Sequence, residues 1–278
     1  MIEACTTSHT AFLQGLALWA PRIPGWSVAA PILRGDREAP LEVAPRPAPG
    51  MLAPNERRRA PDTVSIALEV AARACESAGV MPGELASVFA TTHGDLAINH
   101  YMSETLVGTP TLLSPTRFHN SVLNAAAGYW TIGCGCRESY TALSANIDSF
   151  GEGMLEALVQ SEASGKPTLF VAYDIEACGP LAAMQPSRGI VGAGLVLTPE
   201  PGPATIARIR WRTVRGTERT LPQARNEELV FGNAMAACLP FFEAIAIART
   251  RTLYAGLGPT CLLELALDFE RRYEGSRS

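Results

Sequence analysis

Histidine is scarce in this sequence: His9, His93, His100 and His119 are the only four in 278 residues, and none follows His119. No imidazole is therefore available to a site built from later residues. Charged residues make up 18% of the chain and the net charge is −4, so no basic surface of the kind nucleic acid demands is expected. The densest charge, Arg57-Arg58-Arg59, follows a proline-rich stretch and reads as a solvated approach to a helix rather than a partner contact. Seven scattered cysteines (Cys5, Cys75, Cys134, Cys136, Cys178, Cys238, Cys261) are an odd set and not a disulfide framework; buried free thiols in a reducing cytosol are expected. Cys134-Gly135-Cys136 is too tightly spaced for a CxxC element and is assigned to packing. No His/Cys/carboxylate set has ligand spacing, so no metal is expected. Gly192-x-Gly194 lacks the third glycine and the following helix of a dinucleotide fingerprint, and no cofactor is expected. No apolar run reaches the ~18 to 20 residues that span a bilayer. The segment 1–10 lacks the layout of a signal peptide. A soluble, cytoplasmic protein without membrane insertion is the expectation.

What is present is a composition 47% apolar, enough to bury one core, and a single domain over 1–278 is expected. Residues 11–19 read as an opening strand. The proline density of 21–61 excludes a helix or a central strand and predicts an extended surface excursion. Val64, Ala67, Leu68, Ala71, Ala74, Cys75 and Ala78 recur at helical period, with Asp62 or Thr63 as cap and Gly79 as stop. Residues 85–91 read as a buried strand, and Gly94-Asp95 opens a helix over 96–106. A small-residue helix is expected to run to about Gly133, its Ala125-Ala126-Ala127-Gly128 patch suiting close packing or a subunit interface. Residues 140–143 form a strand that turns sharply into a helix near 148–160, which presents Phe150, Met154, Leu155, Leu158 and Val159 for burial. Residues 168–173 and 190–197 are further buried strands, 206–214 alternates as a half-wet strand, 227–248 is helical and 260–269 is a final strand. Strands alternating with helices make an α/β fold.

Several of these segments carry a resemblance to the ketosynthases of the thiolase superfamily. The elbow Tyr140-Thr141-Ala142-Leu143 is similar to their Thr-Ala-Cys turn, and Gly151 lies eight residues after Leu143, where that family has a glycine after its cysteine. The segment 113–133 resembles the stretch ahead of that elbow, with Asn124 and Gly128 as its Asn-x-x-x-Gly pair. Residues 90–94 resemble the family's Gly-rich strand end, and 168–174 and 191–197 the two strands after the elbow helix. Phe231-Gly232-Asn233 onward looks like the helix that joins the two halves of the enzyme. The resemblance runs from about Ala11 to Ala248, and within the family it points to the short chain length factors of aryl polyene (xanthomonadin-type) pigment biosynthesis.

The resemblance implies a thiolase-like fold corresponding to one N-terminal ketosynthase half, a mixed sheet packed by helices. It also implies a missing chemistry. The nucleophile position holds Leu143, which forms no thioester, and the His-Gly-Thr and Gly-His motifs of the second half have no counterpart in this sequence. The function implied is a non-catalytic subunit that heterodimerises edge to edge with an active ketosynthase and shapes its acyl tunnel, meeting acyl carrier protein only indirectly. Val122, on an expected helix from His119 to Gly133, is the position implied to face that tunnel, with Leu123, Ala126, Asn124, Gly128 and His119 as further tunnel or interface candidates. Two alternatives stay open: a residual acyl transferase or hydrolase using Ser144, lacking a Gly-x-Ser-x-Gly context, and a homodimeric scaffold with no acyl contact.

Overall fold

The opening strand is β1, His9–Ala20, in a computed structural model that describes residues 7–269. Cys5 and most of the segment 1–10 lie outside the described residues. A short strand, β2 (Ile23–Pro24), folds back on the end of β1, and helix α1 (Trp26–Arg34) follows at once. This corrects the expectation of an extended excursion without a helix over 21–61. Pro31 sits inside α1 and removes one backbone donor. Burial of Ala29, Ile32 and Leu33 offsets that loss, at roughly 1.5 to 3 kcal/mol for each large side chain. A second helix, α2 (Pro54–Arg59), carries the arginine run with no buried residue, so only the stretch between α1 and α2 is irregular.

Helix α3 (Asp62–Ala78) ends at Gly79 as expected, in the left-handed conformation at φ +68°. Neither Asp62 nor Thr63 caps it. Pro61 holds the cap position, and the Thr63 hydroxyl donates instead to Asp95 at 3.2 Å. Strand β3 (Ala86–Ala90) leads to α4 (Leu96–Gly108), whose cap Asp95 accepts the Ile98 N–H at 2.9 Å. Of the helix expected from His119 to Gly133, His119 falls in a separate short helix, α5 (Pro115–Asn120), and the rest begins only at Ala125, as α6 (Ala125–Cys134). The break falls where polar side chains compete with the backbone: Ser121 Oγ donates to the Phe118 carbonyl at 2.8 Å.

Strand β4 (Tyr140–Leu143) turns into α7 (Ser149–Ser164), followed by β5 (Thr168–Asp174), β6 (Val191–Thr198) and β7 (Ala207–Arg215). The helix expected over 227–248 is reduced to α8 (Ala224–Glu227) and α9 (Leu239–Ile247). Gly232 at φ +72° breaks it, and Asn233 spends its side chain on the Arg188 carbonyl at 2.9 Å and the Met235 N–H at 2.9 Å. Two strands follow, β8 (Arg251–Gly256), which the sequence did not reveal, and β9 (Cys261–Asp268).

The nine strands of the described residues form one mixed sheet in the order β4-β3-β5-β6-β1-β7-β9-β8, with β2 beside β1. Strands β4, β3 and β5 are parallel and the other pairings antiparallel. Helices α3 and α6 bury one face with Val64, Leu68, Trp130 and Leu169; α1, α7 and α9 bury the other with Leu33, Met154, Phe170 and Phe242. Glycine lets α3 lie close on the sheet: a β-carbon at Gly15 or Gly194 would collide with α3 backbone carbonyls, those of Ala74 and Val70. The two ends of the sheet differ. Among the described residues, strand β4 bonds only to β3 and its outer edge carries no strand. At the other end, Thr220 donates its N–H to the Tyr254 carbonyl and accepts the Tyr254 N–H on its hydroxyl, both at 2.9 Å, covering the outside of β8. Among the described residues no helix is long and apolar enough to cross a membrane.

Candidate functional site

The elbow is built where three strand ends meet. Leu143 closes β4 and its carbonyl accepts the Thr91 N–H at 3.2 Å. Asn146 then takes φ +56°, an uncommon conformation for a residue with a side chain, and the chain reverses into α7. Ser149 Oγ pins this turn by accepting the Ala145 N–H at 3.0 Å and donating to the Asn146 carbonyl at 2.7 Å. Next to it, Asp174 at the end of β5 is fully buried and holds the segment after β3: it accepts the Thr91 hydroxyl at 2.8 Å and the Thr92 and His93 N–H groups at 2.9 and 3.3 Å. Burial pushes the Asp174 carboxyl above the ordinary aspartate value, against the pull of these hydrogen bonds. Sequence reasoning missed Asp174; its signal is one acid closing an otherwise apolar strand, TLFVAYD.

Leu143 itself is half-buried and packs against the core on the α7 side of the sheet. Asp148, ahead of α7, pairs with Arg219 at 2.7 Å and accepts the Gly258 N–H at 3.1 Å. Gly151 lies against the carbonyl of Gly256, so closely that a β-carbon would collide with it. The β8–β9 hairpin is thereby fastened onto the start of the elbow helix. No sequence motif pointed to that contact, because its members are about a hundred residues apart.

Ser144 is exposed, and its Oγ donates to the Thr92 carbonyl at 2.9 Å; the hydroxyl of Thr141 accepts from Gln160 at 2.8 Å. These partners are a carbonyl and an amide, not an imidazole. His100 lies 3.3 Å from Glu104, His119 is exposed and edge-on to Tyr129, and His93 Nε2 is buried with no hydrogen-bond partner. Burial pushes the Cys75 and Cys238 thiols up to about 12, which keeps them protonated and unreactive.

The proposed tunnel and interface residues separate into two groups. Ala126 is buried beneath the sheet and Gly128 half-buried on α6, so Ala126 presents nothing to a partner. Val122, Leu123 and Asn124 lie in the break between α5 and α6, not on a helix, and Val122 is 48% exposed. Asn124 Nδ2 donates to the Tyr140 hydroxyl at 3.0 Å, which sets this turn beside the open edge of β4. Exposed Ile132, Tyr140 and Ile147 on α6, β4 and the elbow add apolar surface around it. Val159, expected to be buried, is exposed on the far side of α7. A groove of about 600 Å³, unforeseen from sequence, runs between α4 and the residues after β5, with Leu96, Val107, Pro180 and Leu181 on its walls and His100 and Cys178 beside them.

Comparison with known proteins agrees with this geometry. A chain of the complex of the ketosynthase ApeO with its chain length factor ApeC from Xenorhabdus doucetiae superposes with a TM-score of 0.69, at 18% identity over 92% of this chain and 99% of that one. A chain of the ishigamide ketosynthase/chain length factor gives 0.68, at 14% identity over 94% and 99%. A beta-ketoacyl synthase from Burkholderia phymatum STM815 gives 0.57, at 15% identity over 87% and 78%. At such identities the likeness shows the fold, which is thiolase-like. No functionally curated protein matches the sequence. The profile described as beta-ketoacyl synthase, N-terminal domain, matches residues 33–248, and the chain belongs to that family.

Proposed function

We propose that this chain is a non-catalytic, chain-length-factor subunit that pairs with an active ketosynthase and shapes its acyl tunnel, in aryl polyene or related polyketide synthesis. The observation that carries this reading is Leu143 at the end of β4, the position that the Thr141-Ala142 resemblance sets against the family's cysteine. An apolar side chain there can neither hold an acyl group nor be activated by a base. The open edge of β4 supports the pairing, because an unpaired strand flanked by apolar side chains is a template for another sheet. The solved relatives include ketosynthases in complex with chain length factors. Ser144 as an alternative acyl nucleophile is disfavoured by its hydrogen bond to a backbone carbonyl.

The test is co-expression with a candidate ketosynthase and measurement of the purified complex's mass. A one-to-one heterodimer is expected. A monomer or a homodimer that ignores the ketosynthase overturns the reading. Within such a complex, Val122→Phe is expected to shift products to shorter chains. Overpacking of about 1 to 3 kcal/mol is enough for roughly a tenfold change in the length distribution.

A further inference from the structure

The turn that stops α6 brings two cysteines together. Gly135 takes the left-handed conformation at φ +65°, and its N–H and that of Cys136 donate to the Ile132 and Thr131 carbonyls at 3.3 and 2.9 Å. Two consecutive backbone steps of about 3.8 Å, folded by such a turn, bring the α-carbons of Cys134 and Cys136 within the range a disulfide spans, about 4.4 to 6.8 Å. The side chains meet as well, since Cys136 is a hydrogen-bond partner of the Cys134 thiol. Cys134 Sγ also donates to the Trp130 carbonyl at 3.0 Å, and Cys136 Sγ to the Leu85 carbonyl at 3.4 Å. Both thiols are free and only half-buried, whereas Cys75 and Cys238 are enclosed.

The pair sits at a junction of the fold. Leu85 immediately precedes β3, and Tyr140, which opens the edge strand β4, follows shortly after Cys136. Gly83 lies against the same turn, where a β-carbon would come within 3.0 Å of the Cys134 carbonyl. The Cys136 thiol therefore ties the end of α6 to the entry of β3. A disulfide has no S–H to donate, so joining the two sulfurs releases the Leu85 carbonyl. A ring closed over one intervening residue is small and strained, and strained disulfides are the readily reduced, regulatory kind. The spacing that is too tight for a CxxC element thus suits a bond that forms and breaks.

We propose that Cys134 and Cys136 form a reversible disulfide by exchange with a small-molecule disulfide, independently of the pairing proposed above. Burial raises the Cys134 thiol, which leaves Cys136 to open the exchange. The Cys136 thiolate attacks the small disulfide, forms an S–S bond to one half of it and expels the other half as a thiol. The Cys134 thiolate then attacks Cys136 Sγ, forming the protein disulfide and expelling the second half. The two protein thiols lose two electrons and two protons, and the small disulfide is reduced to two thiols.

The test uses the full-length protein, reduced, desalted, incubated with excess glutathione disulfide, quenched in acid, alkylated and digested with trypsin. Cleavage after Arg117 and Arg137 releases residues 118–137, whose only cysteines are Cys134 and Cys136. The expected result is that this peptide loses two hydrogens and escapes alkylation in most chains, and that dithiothreitol reverses both changes. In Cys134→Ser the same treatment is expected to leave glutathione on Cys136, because the second attack is gone. Two alkylated thiols in the parent peptide, glutathione retained there, or a bridge to Cys75 overturns the proposal. So does an unmodified Cys136 in the variant.

Discussion

The side-chain amide of Asn124 donates to the Tyr140 hydroxyl at 3.0 Å, tying the turn that carries Val122 to the first residue of the open edge strand. Both residues are exposed, so the bond adds little to folding. Its weight falls on the shape of the edge. Tyr140→Phe is expected to leave the urea midpoint unchanged within about 0.5 kcal/mol. In the heterodimer proposed above, the same change is expected to weaken pairing about 3- to 10-fold, on the order of 1 kcal/mol, as read by a dilution series of the complex.

Restoring the cysteine alone is expected to restore nothing. Leu143→Cys removes apolar volume from a half-buried site and costs on the order of 1 kcal/mol, below the range for fully buried leucines. It recreates Thr-Ala-Cys without supplying a base: the elbow hydroxyls of Thr141 and Ser144 bond an amide and a carbonyl, and no histidine follows His119. Intact-mass measurement after incubation with an acyl thioester is expected to show no acyl adduct; a stable adduct would mean that the elbow retains nucleophilic machinery.

The contact of Gly151 with the Gly256 carbonyl makes a sharp stability prediction. Gly151→Ala normally favours a helix by up to about 1 kcal/mol. Here the added methyl must push the β8–β9 hairpin off α7, and an overpacking loss of about 1 to 3 kcal/mol is expected instead. Denaturant unfolding gives the sign directly, and a stabilised variant would show that the hairpin is not seated on the helix.

Glu243 is fully buried on α9 and accepts the Gln223 N–H and the Asn226 side-chain amide. Burial is the largest influence and pushes its carboxyl above the ordinary value of 4.5. The folded state therefore holds this proton more tightly than the unfolded chain. The resulting stability is fully present below about pH 4.5 and is lost as pH rises through the folded value. Glu243→Gln is expected to flatten the decline of stability with rising pH. It does not abolish it, because burial shifts Asp95 and Asp174 in the same direction. Urea midpoints across the acid range that fall equally steeply in both proteins would refute the assignment.

Periodicity made α3, β6 and β7 legible, because the apolar positions of α3 recur at helical period and Gly192 and Gly194 meet α3 where side chains would not fit. It failed where tertiary burial overrode a local rule. Pro31 argued against a helix that Ile32 and Leu33 nevertheless anchor. Gly232 and Asn233 ended a pattern that looked continuous, and Ser121 broke another. At the site, Leu143 was legible because a short motif surrounds it. Asp174, the Asp148–Arg219 pair and the groove beside α4 depend on residues far apart in sequence, and no spacing records them.

The unequal ends of the sheet carry a consequence for assembly. A sheet open at both ends can add copies without limit and grow into a fibre. Here, among the described residues, Thr220 occupies the outer side of β8 through Tyr254, while the outer side of β4 is unpaired. In the pairing proposed above, strand addition at the β4 end uses up the open end, so the assembly closes at two instead of growing.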